Sequence, residues 1–315
     1  MAGNYGWVYD QTRIDNATER LAQAGFQVSF EKDRPTLKGY WERKKQRQIT
    51  RVMAQDDELK VTGKNREANS QSRGTCVGQG SSRAIEDVHN SRIADHAIVG
   101  KPTLIAYEPM YGFERRAHFG ATHPWGCRCG HCPDGLTGHD AAAFYSIKGC
   151  LRRDNYTSLR IDLSNPREDL AISWNNSGVP DELVSACQFH KIQSQSCDDW
   201  NSLADAMAAK CWGHVCLPMV FDGSRIDRFG CCEPSGNGGH CTEVCGVFVL
   251  PTHETAFVVQ QSWGNAVHYP DSVQTINGQI KLRPGSYAVR QSIMESLGTQ
   301  VELIACDIPS GSSFR

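Results

Sequence analysis

Gln71-Ser72-Arg73-Gly74-Thr75-Cys76-Val77-Gly78 decides the fold, because it carries one cysteine out of a glycine-containing turn onto the first turn of an amphipathic helix. From Val77 onward, the small or apolar positions Gly80, Ala84, Ile85 and Val88 recur at helical spacing. One face therefore packs while Cys76 stays at the amino end. Unsatisfied N–H groups and the helix dipole there favour S⁻ over SH, which predicts a depressed Cys76 pKa.

A thiolate needs a proton partner. Far downstream, Asn237-Gly238-Gly239-His240-Cys241-Thr242-Glu243-Val244 sets a histidine between glycines and a strand-like run. Beyond it, Val258-Val259-Gln260-Gln261-Ser262-Trp263-Gly264 ends a β-type segment with an amide side chain followed by Ser-Trp-Gly. Cysteine, then histidine, then amide is the order of a Cys-His-amide triad.

These three blocks, in this order, resemble the papain-like cysteine peptidases. The resemblance spans residues 70 to 290 and implies an α+β, papain-like two-lobe fold with a helical lobe, an antiparallel β-rich lobe and a cleft between them. It implies Cys76 as nucleophile, His240 as general base and acid, Gln261 as orienting amide, and an oxyanion hole from Gln71 and the Cys76 N–H. Ser262 and Trp263 are implied as supports. Three positions depart from the family pattern. Gln261 replaces its Asn, Gln71 stands five residues ahead of the cysteine where many relatives have glutamine six ahead, at Ser70, and Val77 replaces an aromatic residue.

With 315 residues, 39% of them hydrophobic, the chain can bury a full core. A net charge of −2 excludes a generally basic nucleic-acid binder. No apolar run reaches 18 residues, and Met-Ala-Gly-Asn-Tyr-Gly-Trp lacks the regions of a secretory signal. These readings predict no nucleic-acid or membrane partner, and a cytoplasmic or virion-associated location. The fourteen cysteines are expected to be mostly reduced thiols. The cluster Cys127, Cys129, His131 and Cys132, with His123 upstream, lacks a second paired motif and is read as a loop disulfide or free thiols without a tightly held metal. No cofactor is expected. The scattered His89, His96, His190, His214 and His268 read as core or surface side chains.

Residues 1–69 are polar and carry the basic run Arg43-Lys44-Lys45-Gln46-Arg47, which reads as an arm, a pro-segment or a docking tail toward a larger assembly. The papain-like domain then covers 70–315, with a helical lobe to about 212 and a β-rich lobe from about 213. A short helix is expected over 140–147, and another opened by Ser196 as cap, with Trp200, Leu203, Ala204, Met207, Ala208 and Cys211 on one face. Strands are expected over 215–221, 241–250, 255–260, 286–290 and 301–308. Gly236-Asn237-Gly238-Gly239 reads as a mobile turn. The resemblance implies a thiol hydrolase of peptide or amide bonds acting on a peptide or protein. Cys-Val-Gly and the block Pro284-Gly285-Ser286-Tyr287 are similar to divergent members in bacterial viruses, so a weak or inactive structural component of a phage virion or tail is the alternative. Peptidoglycan amidase or transglutaminase chemistry is a third outlet for the same Cys-His pair.

Overall fold

The strand that carries His240 organises the molecule. In this computed structural model, which describes residues 7–72, 74–119, 135–188, 190–264, 267–298 and 300–308, one antiparallel sheet holds seven strands. They are β1 (Arg51–Met53), β2 (Gln193–Ser196), β3 (Gly213–Val220), β4 (Gly236–Val249), β5 (Thr255–Gln260), β6 (Ser286–Arg290) and β7 (Glu302–Asp307). Their order is β6-β5-β4-β3-β7-β2, with β1 added alongside β4. Along one edge of β4, β3 pairs as far as Val244, and β1 takes over at Gly246. Every β4 residue from His240 onward is buried, because the sheet is covered on both faces and apolar residues there need not alternate.

The helices are α1 (Gln11–Gln23), α2 (Cys76–Ala94), α3 (Glu108–Phe119), α4 (Gly138–Ile147), α5 (Glu168–Ser177) and α6 (Trp200–Ala208). Helix α2 lies on β4 and β3, while α6 packs against β4 and β7. Gly80 makes the first crossing possible: a Cβ there would sit 3.2 Å from the Thr242 carbonyl carbon and 3.4 Å from the Glu243 nitrogen. The close approach brings the amino end of α2 down onto the strand of His240.

Helix α2 departs from the amphipathic expectation. It is buried on all sides from Cys76 to Ser91, Arg83, Glu86 and Asp87 included. Its polar face is met by ion pairs rather than water. Arg66 reaches Glu58, Glu86 and Asp87, while Arg283 contacts Asp87 at 2.9 Å, Glu243 at 2.6 Å and Glu58 at 3.4 Å. Buried carboxylates and guanidiniums persist only in such mutual company.

Residues 7–69, read as an arm or pro-segment, place Trp7, Phe30, Trp41, Val52 and Met53 in the main core. Trp7 donates through Nε1 to Glu302 at 2.6 Å, and its carbonyl packs against Gly239. Two local expectations change. Asp199, not Ser196, caps α6 by accepting from Ser202 N, because Ser196 is taken into β2. The Gly236–Gly239 run is the start of β4 rather than a mobile turn, since Val220 and Met219 of β3 pair with it. The helix expected over 140–147 forms as α4, started by a capping box between Thr137 and Asp140. The cluster from His123 to Cys132 lies outside the described residues.

Candidate active site

Cys76 begins α2 and is fully buried. Thr75 precedes the helix without capping it through its side chain, so the first N–H groups, those of Cys76 and Val77, act on the sulfur. From the facing strand, Cys241 N–H donates to Cys76 Sγ at 3.3 Å. That contact sets the neighbouring residue, His240, beside the nucleophile's helix. The His240 ring stacks on Trp263 with centroids 4.5 Å apart and planes 20° apart.

The electrostatics run against a depressed thiol pKa. Burial pushes the Cys76 thiol well up, the neighbouring Cys241 thiol adds to this, and the N–H groups of Cys241, Val77 and Cys76 pull it down without offsetting the loss of water. Burial likewise drives His240 down to about 3. Burial thus works against both the thiolate and the imidazolium in the closed site. The helix-start argument fails here because it weighs N–H donors and omits desolvation.

The two glutamines behave differently from each other. Ser262 Oγ donates to Gln71 Oε1 at 2.5 Å, which fixes the carboxamide oxygen of Gln71 and thereby the direction of its NH₂ end. Ser70 bridges Trp263, and Gly264 N–H donates to Asn69 O at 2.7 Å, so the segment before the nucleophile is tied to the Ser-Trp-Gly turn. Gln261 was expected to orient the imidazole. Instead its Oε1 accepts from Trp263 N–H and its Nε2 donates to Gly264 O at 3.4 Å, closing the turn that presents Trp263 to His240.

One residue has no counterpart in the sequence reading. Glu168, at the start of α5, accepts from Ser72 N at 3.0 Å and Ser72 Oγ at 2.5 Å through Oε2, and from Thr75 Oγ1 at 2.7 Å and Gln79 Nε2 at 3.3 Å through Oε1. Tyr111 donates to Gly74 O at 2.9 Å. The loop that delivers Cys76 is thus held from both α3 and α5. In sequence an acid at a helix start reads only as a complement to the helix dipole, so nothing local marked Glu168.

No family model and no curated protein matches the sequence. Solved structures do. The cysteine protease xylellain from Xylella fastidiosa aligns over 82% of this chain and 86% of its own, with TM-score 0.52 and 14% identity. Bromelain from Ananas comosus aligns over 82% and 98%, with TM-score 0.46 and 13% identity. Procathepsin L 3 of Tenebrio molitor aligns over 93% and 98%, with TM-score 0.42 and 12% identity. The xylellain likeness shows a papain-like fold, the α+β architecture expected from the cysteine helix and the histidine strand. Among the described residues, no helix is long and apolar enough to cross a membrane.

Proposed function

We propose that this papain-fold chain is a thiol hydrolase of peptide or amide bonds, with Cys76 as nucleophile and His240 as base and acid. The observation that carries the reading is the Cys241 N–H contact to Cys76 Sγ, which sets the histidine's strand against the nucleophile's helix. In this reading His240 takes the Cys76 proton and sulfur bonds to the acyl carbon. The oxyanion is met by the Cys76 N–H and the Gln71 carboxamide. His240 then protonates the departing amine, and water, activated by the same imidazole, breaks the thioester.

Entry of a peptide must first loosen a site in which the thiol is wholly covered. A peptidyl epoxide, followed by mass spectrometry, tests the proposal. Exclusive labelling of Cys76 among fourteen thiols, lost in a folded His240→Ala variant, is expected. Uniform slow labelling of many thiols, with none preferred, would sink it. The second reading, a weak or inactive papain-fold component of a phage virion or tail, draws on Gln261 being spent on its own turn and on the complete burial of Cys76. That reading predicts no labelling of Cys76 even at high probe concentration.

A further inference from the structure

On the sheet face beneath the nucleophile lies a second group of soft side chains. His214 and Cys216 stand two residues apart on β3 and so point to the same side. Cys241 of β4 is the direct register partner of Cys216. All three are fully buried, and their donor atoms lie within 4.8 Å of one another. We propose that His214, Cys216 and Cys241 form a binding site for a soft divalent cation of the zinc class, with the fourth coordination position open.

Four features support the assignment. The His214 imidazole is poorly satisfied for a group with no solvent contact: among the described residues, Nδ1 has no hydrogen-bond partner and Nε2 meets only the Gly138 carbonyl, at 3.4 Å. Buried polar atoms in a native fold normally find partners. Glu302, the nearby carboxylate, is already engaged by Trp7 Nε1 at 2.6 Å, His139 N at 2.9 Å and His139 Nδ1 at 2.5 Å, so it does not answer the imidazole's need. Space is set aside as well. A Cβ on Gly138 would come within 3.0 Å of Cys216 Sγ and 3.2 Å of His214 Nε2, and glycine leaves that side of the cluster uncrowded.

The chemistry of the donor set fits. Two thiolates and a neutral imidazole neutralise a 2+ ion, so a loaded site adds no net charge to the core. On binding, Cys216 and Cys241 each release one proton to solvent, and two sulfur–metal bonds and one nitrogen–metal bond form. Tetrahedral zinc bonds of about 2.0–2.3 Å set ligand atoms about 3.5–3.8 Å apart. The donor atoms, within 4.8 Å of one another, must draw closer by side-chain rotation to reach that spacing.

The test uses the full chain in reductant without chelator, with zinc chloride and separately cobalt chloride as probes. A Cys127→Ser, Cys129→Ser, Cys132→Ser background removes the other cysteine cluster. About one zinc per chain is expected in that background, falling at least tenfold in occupancy with His214→Gln or Cys216→Ala. The cobalt form should show a thiolate-to-metal absorption that falls at least tenfold, in step with the lost metal, in Cys216→Ala. Where the core variants fail to fold, zinc-edge X-ray absorption of the background protein replaces them, with sulfur and imidazole nitrogen in the coordination shell as the expected result. No zinc in the background protein, or a shell without sulfur, overturns the proposal. It does not depend on hydrolase activity, so the two can fail separately.

Discussion

Replacing Glu168 by alanine removes the acceptor on which the nucleophile loop is hung. Of its four donors, Ser72 N–H and Oγ can turn to water, because Ser72 is exposed. Thr75 and Gln79 are buried and cannot. Gln79 Nε2 also donates to Thr75 Oγ1 at 3.0 Å, so the net loss is close to one buried unsatisfied group, about 1–3 kcal/mol. At about 1.4 kcal/mol per decade, kcat/KM on a fluorogenic peptide amide should fall about five- to a hundredfold in Glu168→Ala. Glu168→Gln separates positioning from mere support. Its carbonyl can still face Ser72 N–H, and its NH₂ can donate to Gln79 Oε1, which has no hydrogen-bond partner among the described residues. Most of the activity should therefore return, through kcat and with little change in KM. If Glu168→Ala keeps kcat/KM within twofold while its unfolding free energy drops, the carboxylate is only a structural tie and the reasoning is refuted.

Gln261→Ala should lower turnover about tenfold by freeing Trp263 from the imidazole face, whereas Gln261→Asn, shorter by about 1.5 Å, should bring no improvement. A gain of tenfold or more in Gln261→Asn, about 1.4 kcal/mol, would mark glutamine as a damaged triad member. Gly80→Ala gains about 1 kcal/mol of helix propensity but forces a Cβ against the β4 backbone, an overpacking cost of about 1–3 kcal/mol, so denaturant titration should show a net loss. Stability should also fall in acid. His89 and His214 are held at about 4 and His240 at about 3, all chiefly by burial, while unfolded histidine titrates near 6.5. Below about 6.5 the unfolded chain binds protons that the folded one refuses, so their contribution is complete above that pH and shrinks as pH drops toward 4. Glu114, pushed up to about 7 by burial, works in the opposite direction between about 4.5 and 7. Urea unfolding should show a net loss of stability between pH 7 and pH 5, and a flat profile over that range would contradict it.

The parts of the fold that could be read from sequence are those whose signal is local. Cys76 on a helix start, His240 before an apolar run and Ser-Trp-Gly after a strand each announce themselves within eight residues, and the strands over 255–260 and 286–290 form with the expected bounds. What could not be read depends on partners far away. Gly236–Gly239 looks like a turn until β3 supplies its ladder. Ser196 looks like a cap until β7 claims it for β2. Residues 7–69 look polar because Trp7, Phe30, Trp41 and the pair Val52-Met53 are widely spaced along the segment, giving no periodic stripe although each is buried. Glu168 acts on residues about ninety positions before it, and the desolvation that opposes thiolate formation at Cys76 is a property of the packed interior alone.

The pairing of β1 with β4 also bears on how the chain comes to be folded. Val52 meets Val247 across 195 positions of sequence, so the first strand emerges from the ribosome long before its partner exists. At about 5–20 residues per second of synthesis, that interval is roughly 10–40 s. During it, Phe30, Trp41 and Met53 have no sheet or helix α6 to cover them, and Glu58 waits for Arg283, which is made later still. Contacts of such long range slow folding and leave apolar surface open to association. Refolding yield should therefore depend steeply on protein concentration, with the amino-terminal seventy residues among the last to gain hydrogen-exchange protection.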